Sequence, residues 1–306
     1  MKKLVIVGAG PAALSAAIYA ARECLDVTVY ERESLGGLAS GIDLVENYPG
    51  AFGDVTGLEL AEKMRAQAEK FGAKIEYGEV SEISEAGAKK VLVVDGVETD
   101  ADAVLIATGC SRVKLGVAGE EEFAGRGVHY CATCDGAFYK DKTVAVIGGG
   151  NSAVQEALFL TRFAKKVEIV ALAEITASGV LKERLKEAVA AKKIKVNTGM
   201  ETLEIVGDTG KVTGVRVKKG GKERVLKVEG VFIFVGLKPA TEFLKGSGVK
   251  LSEKGFVETG ADFMTSMSGV FAAGDVREGA TRQIVCAAGE GAAAVLRIGE
   301  WLGGLK

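Results

Sequence analysis

Two cysteines separated by two residues are the part of this sequence best suited to carry chemistry. They lie in the segment HYCATCDG at residues 129–136, as Cys131 and Cys134. Cysteines at this spacing can close a small disulfide and exchange it with a dithiol, and the motif often lowers the pKa of the attacking thiol. Asp135 follows directly and is placed in sequence to carry a proton as the pair opens and closes. The segment therefore predicts a redox-active cysteine pair with an adjacent acid.

A structural zinc site is the alternative explanation for this spacing. Such a site needs four ligands, whereas the chain has no second pair of this kind and a single histidine, His129. We therefore expect no metal site, and we expect His129 to be a packing or hydrogen-bonding residue. The remaining cysteines, Cys24, Cys110 and Cys286, lie among apolar residues and are expected to be buried small side chains.

A glycine-rich turn near the N-terminus has the pattern of a dinucleotide-binding site. Gly8, Gly10 and Ala13 fit the spacing GxGxxG/A directly after a short apolar strand. The first glycine permits a tight turn, the second lets backbone N–H groups approach a diphosphate, and the small third residue lets helix and strand pack closely. Glu31 lies 21 residues after Gly10, at the end of the next predicted strand, where a carboxylate can accept hydrogen bonds from a ribose diol. The diphosphate is expected at the N-terminus of the first helix.

A second glycine-rich turn repeats this pattern without its acidic partner. Gly148, Gly150 and Ala153 have the same spacing, again after an apolar strand. The next strand leads into residues 171–177, ALAEITA, which offer neither an acid at the usual position nor an arginine to hold a 2′-phosphate. Glu168 lies within that strand and is expected on a solvated face. The second turn thus predicts the diphosphate half of a nicotinamide site without a clamp for the adenosine ribose.

The elements around the two turns also repeat, which indicates two similar domains. Residues 3–17 and 143–157 each contain an apolar strand, a glycine cluster and an alanine-rich segment with helical spacing. A further strand at 269–275 leads into a helix near Arg282 and has no counterpart in the second half. The sequence therefore predicts an α/β fold with two Rossmann-like, three-layer domains, the second inserted in the first. The predicted ranges are 1–115 with 246–306 and 116–245, and the paired crossings between them are candidates for a hinge.

The composition excludes several classes of function. The chain has 306 residues, a formal net charge of −2 and no long run of like charge, so it lacks the basic patch expected of a protein that binds nucleic acid or an anionic membrane. No apolar stretch approaches the roughly 20 residues of a membrane span, and the run after Met1 is too short for a signal peptide. Five cysteines, of which only two are close in sequence, indicate a reducing compartment. We expect a cytoplasmic protein.

A cysteine pair needs a source of electrons, because cysteine itself cannot accept a hydride. A flavin takes two electrons from a hydride donor and passes them to a disulfide. Two dinucleotide folds and one cysteine pair therefore predict FAD in one domain and its electron donor in the other, with the cysteines between them.

The sequence resembles the low-molecular-weight thioredoxin reductases along nearly its whole length. The matching motifs are GAGPAA at 8–13, VENYPG at 45–50, ATG at 107–109, GRGVHYCATCDGAFY at 125–139, GGGNSAVQEAL at 148–158 and AAGDVREGATRQIV at 272–285. The resemblance implies that FAD occupies the first domain, that Cys134 reacts with the flavin and that Cys131 attacks thioredoxin, with Asp135 as proton donor. It also implies a homodimer in which the inner domain rotates.

The same resemblance assigns cofactor contacts to individual positions. The residues implied for FAD are Gly8, Gly10, Pro11, Ala12, Glu31, Arg32, Gly37, Leu38, Asn47, Thr108, Gly109, Gly274, Asp275, Arg282, Gln283 and Ile284. Those implied for a nicotinamide donor are Gly148, Gly150, Asn151, Ser152 and Ala153.

Two departures from the family pattern concern the flavin and the donor. Leu38 stands where the family usually has glutamine, which is expected to alter a contact to the flavin. NADPH-dependent members carry HRR and a further arginine after the strand of the second fold, and those positions here are Ala171, Leu172, Ala173 and Ala177. The loss of several charge-assisted contacts, about 1.5–3 kcal/mol each, would lower the affinity for NADPH by orders of magnitude. The sequence thus disfavours NADPH.

Two kinds of donor remain after NADPH is disfavoured. NADH is the simplest candidate, since the glycine turn at 148–153 is intact. The segment 171–177, which has no basic residue, instead suits the branches of the family that take electrons from ferredoxin or a deazaflavin. Related peroxiredoxin-reducing flavoproteins share this core and offer a different partner. From another class, a flavin-binding redox sensor without turnover would have no need of Asp135, and a ferredoxin–NADP reductase would have no use for the CATC segment.

Overall fold

The computed structural model describes residues 1–304, and their contacts divide the chain into two units. The first unit contains Met1–Ser111 and the chain from Lys238 onward, and the second contains Arg112–Leu237. Two short strands, β8 (Cys110–Arg112) and β17 (Leu237–Pro239), form a two-stranded sheet where the chain passes between the units. Among the helices described, none has the length and apolar character needed to span a membrane.

A five-stranded parallel sheet forms the centre of the first unit. Its strands in spatial order are β18 (Val270–Ala272), β7 (Ala103–Ile106), β1 (Lys3–Val7), β2 (Asp26–Glu31) and β3 (Lys74–Tyr77). Residues 4–7 at its middle are almost completely buried because both faces of the sheet are covered.

Helices lie on one face of this sheet and an antiparallel sheet on the other. The helices are α1 (Pro11–Arg22), α2 (Gly57–Lys70) and α6 (Ile284–Gly304), and the antiparallel strands are β4 (Val80–Ala86), β5 (Lys89–Val94) and β6 (Val97–Ala101). Leu4 and Ile6 pack with the helices, whereas Val5 and Val7 pack with the antiparallel sheet. One apolar run therefore supplies two cores, since successive side chains of a strand point to opposite faces.

The second unit has the same three layers. Its parallel sheet contains, in spatial order, β12 (Ile194–Asn197), β11 (Lys166–Val170), β10 (Thr143–Ile147), β16 (Gly230–Ile233) and β9 (Val128–His129). The helices are α3 (Ala132–Asp135), α4 (Asn151–Leu160) and α5 (Gly179–Ala190), and the antiparallel strands are β13 (Glu201–Asp208), β14 (Lys211–Lys219) and β15 (Lys222–Lys227). The predicted α/β fold with two Rossmann-like sheets is confirmed.

Two expectations about individual side chains are wrong. Cys24 is exposed, because it follows the last turn of α1 with a φ of 58°, and Cys110 and Cys286 are only partly buried. Glu168 is not solvated but 7% exposed, because the face of β11 on which it lies is covered. Its carboxylate accepts hydrogen bonds from Lys166 and Asn197, which lower its pKa although burial acts against them. Lys166 thus compensates the buried negative charge of Glu168, which the strand pattern predicts to lie in solvent.

Candidate redox and cofactor sites

Cys131 and Cys134 form a disulfide in a short helical turn at the end of an edge strand. Strand β9 ends at His129, and α3 begins immediately after Cys131. The Sγ of Cys131 accepts a hydrogen bond of 3.2 Å from the backbone N–H of Cys134, so it takes the place of an N-cap side chain. The helical turn brings the two α-carbons to 5.4 Å, within the range that a disulfide spans.

Asp135 is held by a buried histidine and tyrosine that the sequence did not connect to it. Nδ1 of His129 lies 3.1 Å from Oδ2 of Asp135, and Nε2 of the same ring lies 2.6 Å from the phenolic oxygen of Tyr139. The two aromatic residues are 7% and 6% exposed, whereas the Asp135 side chain is 29% exposed. The prediction that His129 is a hydrogen-bonding residue is confirmed, and its partner is the acid next to the cysteines.

The surroundings of this histidine favour its neutral form. Burial lowers the pKa of His129, while the carboxylate of Asp135 acts in the opposite direction. Burial also raises the pKa of Tyr139 to about 12, with the charge of Asp135 contributing, so this phenol keeps its proton. A buried phenol and a neutral imidazole are together suited to pass on or fix a proton position rather than to carry charge.

A glycine in the neighbouring strand makes room for Tyr139. A Cβ on Gly230 would lie 2.2 Å from the Tyr139 ring, so no other residue fits there without displacing the tyrosine. Phe232, two residues later in β16, stacks on His129 with ring centroids 5.2 Å apart. Sequence reasoning missed Tyr139 and Gly230, because they meet only through sheet pairing: Gly230 of β16 pairs with Val144 of β10, the strand that begins shortly after Tyr139.

The residue before the cysteines is fixed by a second buried acid. Glu120 is 2% exposed and accepts hydrogen bonds from the Tyr130 hydroxyl, at 2.6 Å, and from the backbone N–H groups of Leu115 and Gly116. These bonds lower the pKa of Glu120 against the effect of burial, with the Tyr130 hydroxyl the strongest of them. Tyr130 and His129 are thus anchored independently on the two sides of the chain that leads to Cys131.

The first glycine turn has an open approach at its second glycine. Gly8 has a φ of 98°, and a Cβ there would lie 2.6 Å from the carbonyl oxygen of Ala107, so both the turn and the packing require glycine. A Cβ on Gly10 would meet nothing within 4 Å. Gly10 precedes Pro11 at the start of α1, and within the described chain no side chain caps this helix. An uncapped helix N-terminus with open space before it fits an anionic diphosphate.

Glu31 lies against this turn. Its carboxylate accepts hydrogen bonds from the backbone N–H groups of Ala9, at 2.7 Å, and of Glu33 and Ser34. A carboxylate has about four acceptor positions, so the side chain can still accept a bond from a ribose hydroxyl. The neighbouring Arg32 instead forms ion pairs with Glu33 and Glu79 on the surface.

The remaining residues predicted for FAD lie in the first unit in several local groups. A Cβ on Gly274 would lie 2.9 Å from Ala12, and Gly37 approaches the α-carbon of Gly10. Nδ2 of Asn47 donates a hydrogen bond of 2.9 Å to Gln283, although these residues are far apart in sequence. Of the other predicted positions, Leu38 lies in a short 3₁₀ helix, Gly37–Gly41. Thr108 and Gly109 follow β7, Arg282 precedes α6, and Ile284 is its first residue.

Asp275 lies in a partly buried polar group at the end of β18. Burial raises its pKa to about 6; the guanidinium of Arg282 opposes this shift and the carboxylate of Glu290 adds to it. Glu290 accepts a hydrogen bond from the backbone N–H of Gly274 and forms an ion pair of 2.9 Å with Arg277. Sequence reasoning missed Glu290, which lies on α6 and is recognisable only once that helix packs against the strand end. A buried carboxylate beside glycine turns fits a group rich in hydroxyls, such as the ribityl chain of FAD.

The second glycine turn repeats the geometry of the first. Gly148 has a φ of 134°, and a Cβ there would lie 2.2 Å from the carbonyl oxygen of Phe234. A Cβ on Gly150 would meet nothing within 4 Å, and within the described residues no side chain caps α4, which begins at Asn151. Ser152 is exposed in the first turn of this helix and Ala153 is buried beneath it. This turn also fits a diphosphate.

The segment after β11 folds back over the second turn. The backbone N–H of Thr176 donates to the carbonyl oxygen of Gly149, and Oδ1 of Asn151 accepts a bond of 2.8 Å from the N–H of Ser178. Of the four positions that lack a basic residue, Ala171 and Ala177 are buried, whereas Leu172 and Ala173 are exposed. Leu172 and Ala173 are therefore the two of these four positions that can face a ligand in solvent.

Comparisons with known proteins identify the family of this chain. Residues 2–291 match the family model described as pyridine nucleotide-disulphide oxidoreductase. The thioredoxin reductase of Listeria monocytogenes is 42% identical over 291 residues, which cover 94% of this chain and 90% of that protein.

Two solved structures are similar over the full chain. The thioredoxin reductase of Lactococcus lactis, in its FR conformation, has a TM-score of 0.94 at 37% identity and covers 99% of this chain and 100% of that one. The thioredoxin reductase of T. acidophilum has a TM-score of 0.93 at 38% identity, with 100% of both chains covered. The chain therefore belongs to the pyridine nucleotide-disulphide oxidoreductases as a low-molecular-weight thioredoxin reductase, and it is a disulfide oxidoreductase enzyme.

Proposed function

We propose that this protein reduces thioredoxin or a thioredoxin-like protein through FAD and the Cys131–Cys134 pair. The observation that carries the proposal is the disulfide next to Asp135, in a chain that also has two glycine turns suited to a diphosphate. Bound FAD would supply the two-electron step that cysteine cannot perform with a hydride donor. Cys131 and Cys134 then pass the electrons to the disulfide of the partner by thiol–disulfide exchange.

The proposal gives each unit a separate task. The first unit would hold FAD at Gly8, Gly10 and Glu31, with Asp275 toward the ribityl chain. The second would hold the donor at the Gly148–Ala153 turn and carry the cysteine pair. Three of the five cysteines are free, which supports a reducing, cytoplasmic setting. The family resemblance further suggests a homodimer, which sedimentation of the purified holoprotein would test.

NADH is the donor that we propose. The open approach at Gly150 and the uncapped N-terminus of α4 support a dinucleotide at this turn. The exposed residues Leu172 and Ala173 offer no charge to a 2′-phosphate, which argues against NADPH. The absence of charge at Leu172 and Ala173 is also compatible with a second kind of donor, a ferredoxin or a deazaflavin. Such a donor would not need the glycine turn at 148–153.

Anaerobic spectroscopy of the holoprotein tests both the donor and the partner. NADH and NADPH are added separately while the flavin absorbance is followed, and oxidised thioredoxin is then added. We expect rapid bleaching by NADH, slow or absent bleaching by NADPH, and recovery of the flavin absorbance on addition of thioredoxin. If dithionite bleaches the flavin and neither nucleotide does, the donor is not a nicotinamide. If reduced protein does not reduce thioredoxin, a peroxiredoxin or a sensor role replaces the proposed partner.

A further inference from the structure

The single histidine of the chain lies directly behind the acid that serves the cysteine pair. His129 is the only histidine among 306 residues, and its ring is placed between the Asp135 carboxylate and the Tyr139 hydroxyl. Its two ring nitrogens therefore both have partners, one of which is partly exposed beside Cys134 and one of which is buried. The imidazole of His129 is thus oriented between its two partners and contacts the carboxylate of Asp135, the expected proton carrier.

Only one arrangement of protons satisfies all three groups when the imidazole is neutral. Tyr139 keeps its proton and donates it to Nε2, so Nδ1 carries the ring proton and donates it to the Asp135 carboxylate. The other tautomer would direct the lone pair of Nδ1 at a carboxylate oxygen 3.1 Å away. Tyr139 therefore fixes the tautomer, and the tautomer directs the Nδ1–H of His129 at the Asp135 carboxylate.

The groups around this pair leave the carboxylate as its main electrostatic partner. Asp135 on α3 is the one charged residue in the described chain that acts on the His129 imidazole. Phe232 on β16 stacks on the ring and carries no charge. Lys142 lies over the Tyr139 ring at 5.5 Å from its centroid and donates to the carbonyl oxygen of Phe138. The imidazole therefore faces one anion, one phenol and one apolar ring.

We propose that His129 is a positioning residue that holds Asp135 as an oriented carboxylate, able to take a proton from the cysteine dithiol and return it, with Tyr139 fixing the histidine tautomer. The inference rests on the proposed disulfide exchange. In that exchange the thiolate of one cysteine attacks the partner disulfide, whose S–S bond breaks as a mixed disulfide forms. The second cysteine loses its proton to Asp135 and attacks the mixed disulfide, so that the Cys131–Cys134 bond forms again. The proton passes from Asp135 to the partner thiolate that departs in this second step, the partner thiolate released in the first step takes its proton from water, and the partner leaves as a dithiol.

Nuclear magnetic resonance of ¹⁵N-histidine-labelled protein tests the tautomer without further assignment, because the chain has one histidine. We expect the neutral ring to carry its proton on Nδ1 near pH 7, and we expect Tyr139→Phe to mix the two tautomers. A ring that carries its proton on Nε2 in the wild type would overturn the proposal.

The pH profile of the exchange separates a positioning role from a purely structural one. The holoprotein is reduced with dithiothreitol, freed of reductant and mixed with a small aromatic disulfide, and the Cys131–Cys134 disulfide is quantified by mass spectrometry after acid quenching. His129→Phe removes the ring N–H that is directed at the Asp135 carboxylate, so the proton acceptor of the exchange loses its oriented hydrogen bond. We therefore expect the acid limb of the rate profile to move to higher pH by about 0.5–1 unit.

Four comparison variants make the result specific. His129→Gln keeps a donor and an acceptor and should restore part of the profile. Tyr139→Phe keeps the ring and should shift the profile in the same direction even if His129→Phe does not fold. Tyr130→Phe is the matched control, because it loses a phenolic bond of the same 2.6 Å length to a different acid, and its profile should stay in place. In an Asp135→Asn background, His129→Phe should cause no further shift.

The inference and the proposed function fail in different ways. Superimposable wild-type, His129→Phe and Tyr139→Phe profiles in folded protein would refute the positioning role, as would an equal shift in the Asp135→Asn background. Neither experiment uses thioredoxin or an electron donor, so a chain that shows the expected shift but never reduces thioredoxin would refute the proposed function alone.

Discussion

Alanine at the second glycine of each turn should separate ligand binding from folding. In Gly10→Ala and Gly150→Ala the added Cβ meets no protein atom within 4 Å. The backbone at both positions is extended, with φ of −75° and −85°, which any residue adopts. Neither substitution should therefore destabilise the protein, and removal of glycine flexibility from the unfolded chain favours folding by about 0.4–1 kcal/mol. The methyl group instead occupies the space through which a diphosphate approaches the helix N-terminus.

The expected loss is one or more backbone contacts to the diphosphate. A hydrogen bond to a charged group contributes about 1.5–3 kcal/mol, so the loss of one contact weakens binding by roughly 10- to 100-fold. Gly10→Ala should lower the affinity for FAD by this factor. Gly150→Ala should leave FAD bound and lower the apparent affinity for NADH by a similar factor.

The assays are FAD titration of the apoprotein and NADH-dependent bleaching of the holoprotein, with urea unfolding of each apoprotein as a check on stability. Gly8→Ala is the contrasting variant, because its φ of 98° and its approach to the Ala107 carbonyl oxygen both exclude a side chain. It should lower the free energy of unfolding by more than about 1 kcal/mol. Unchanged FAD affinity in a folded Gly10→Ala protein would refute the diphosphate site at the first turn. Unchanged bleaching by NADH in Gly150→Ala would place that donor elsewhere.

Three other tests by substitution concern the packing, the electrostatics and the donor. Gly230→Ala should lower the free energy of unfolding in urea by about 1–3 kcal/mol by displacing the Tyr139 ring, and Tyr139→Leu in the same chain should recover part of it, whereas full stability of the single variant would contradict the contact. Burial raises the pKa of Asp275 to about 6, so the stability it contributes to the apoprotein is present below about pH 4 and is lost as the pH rises through about 6. Asp275→Asn should therefore stabilise the apoprotein at pH 7 by roughly 1–3 kcal/mol but not at pH 4. The same difference in urea midpoint between Asp275→Asn and the wild type at both pH values would count against this. Leu172→Arg with Ala173→Arg should increase bleaching by NADPH at least about tenfold, while an unchanged NADPH response would exclude a 2′-phosphate at this surface.

The sequence predicted the parts of the sites that depend on short spacing. The glycine turns, the cysteine pair and the acid that ends the second strand are recognised from short spacings in the chain, because a strand, a turn and a helix follow one another there. Glu31 and the Gly8–Gly10 turn are examples, since the carboxylate accepts the N–H of Ala9 directly. The presence of two separate parallel sheets could be predicted for the same reason, because one of these turns follows a strand of each sheet.

Contacts across strands were not predictable from spacing. Gly230 and Tyr139 are about 90 residues apart, and they meet because β16 pairs with β10, the strand that follows Tyr139. Glu168 alternates with apolar residues as a solvated strand residue would, yet the antiparallel sheet of the second unit covers that face, and Lys166 and Asn197 supply the partners. The packing of the antiparallel sheet therefore determines that this face of β11 is buried, which the periodicity of the strand alone does not show.

The two glycine turns differ in the residue at the end of the second strand, and this difference bears on the donor. In the first unit Glu31 ends the strand and turns its carboxylate toward the glycine turn. In the second unit Ala171 takes the corresponding place, is 2% exposed and offers no carboxylate to the glycine turn. The bond between Thr176 and Gly149 closes the same region with backbone. Because Ala171 presents a buried methyl group and no carboxylate, we expect recognition of a nicotinamide donor to rest on the diphosphate and on exposed residues such as Leu172 and Ala173.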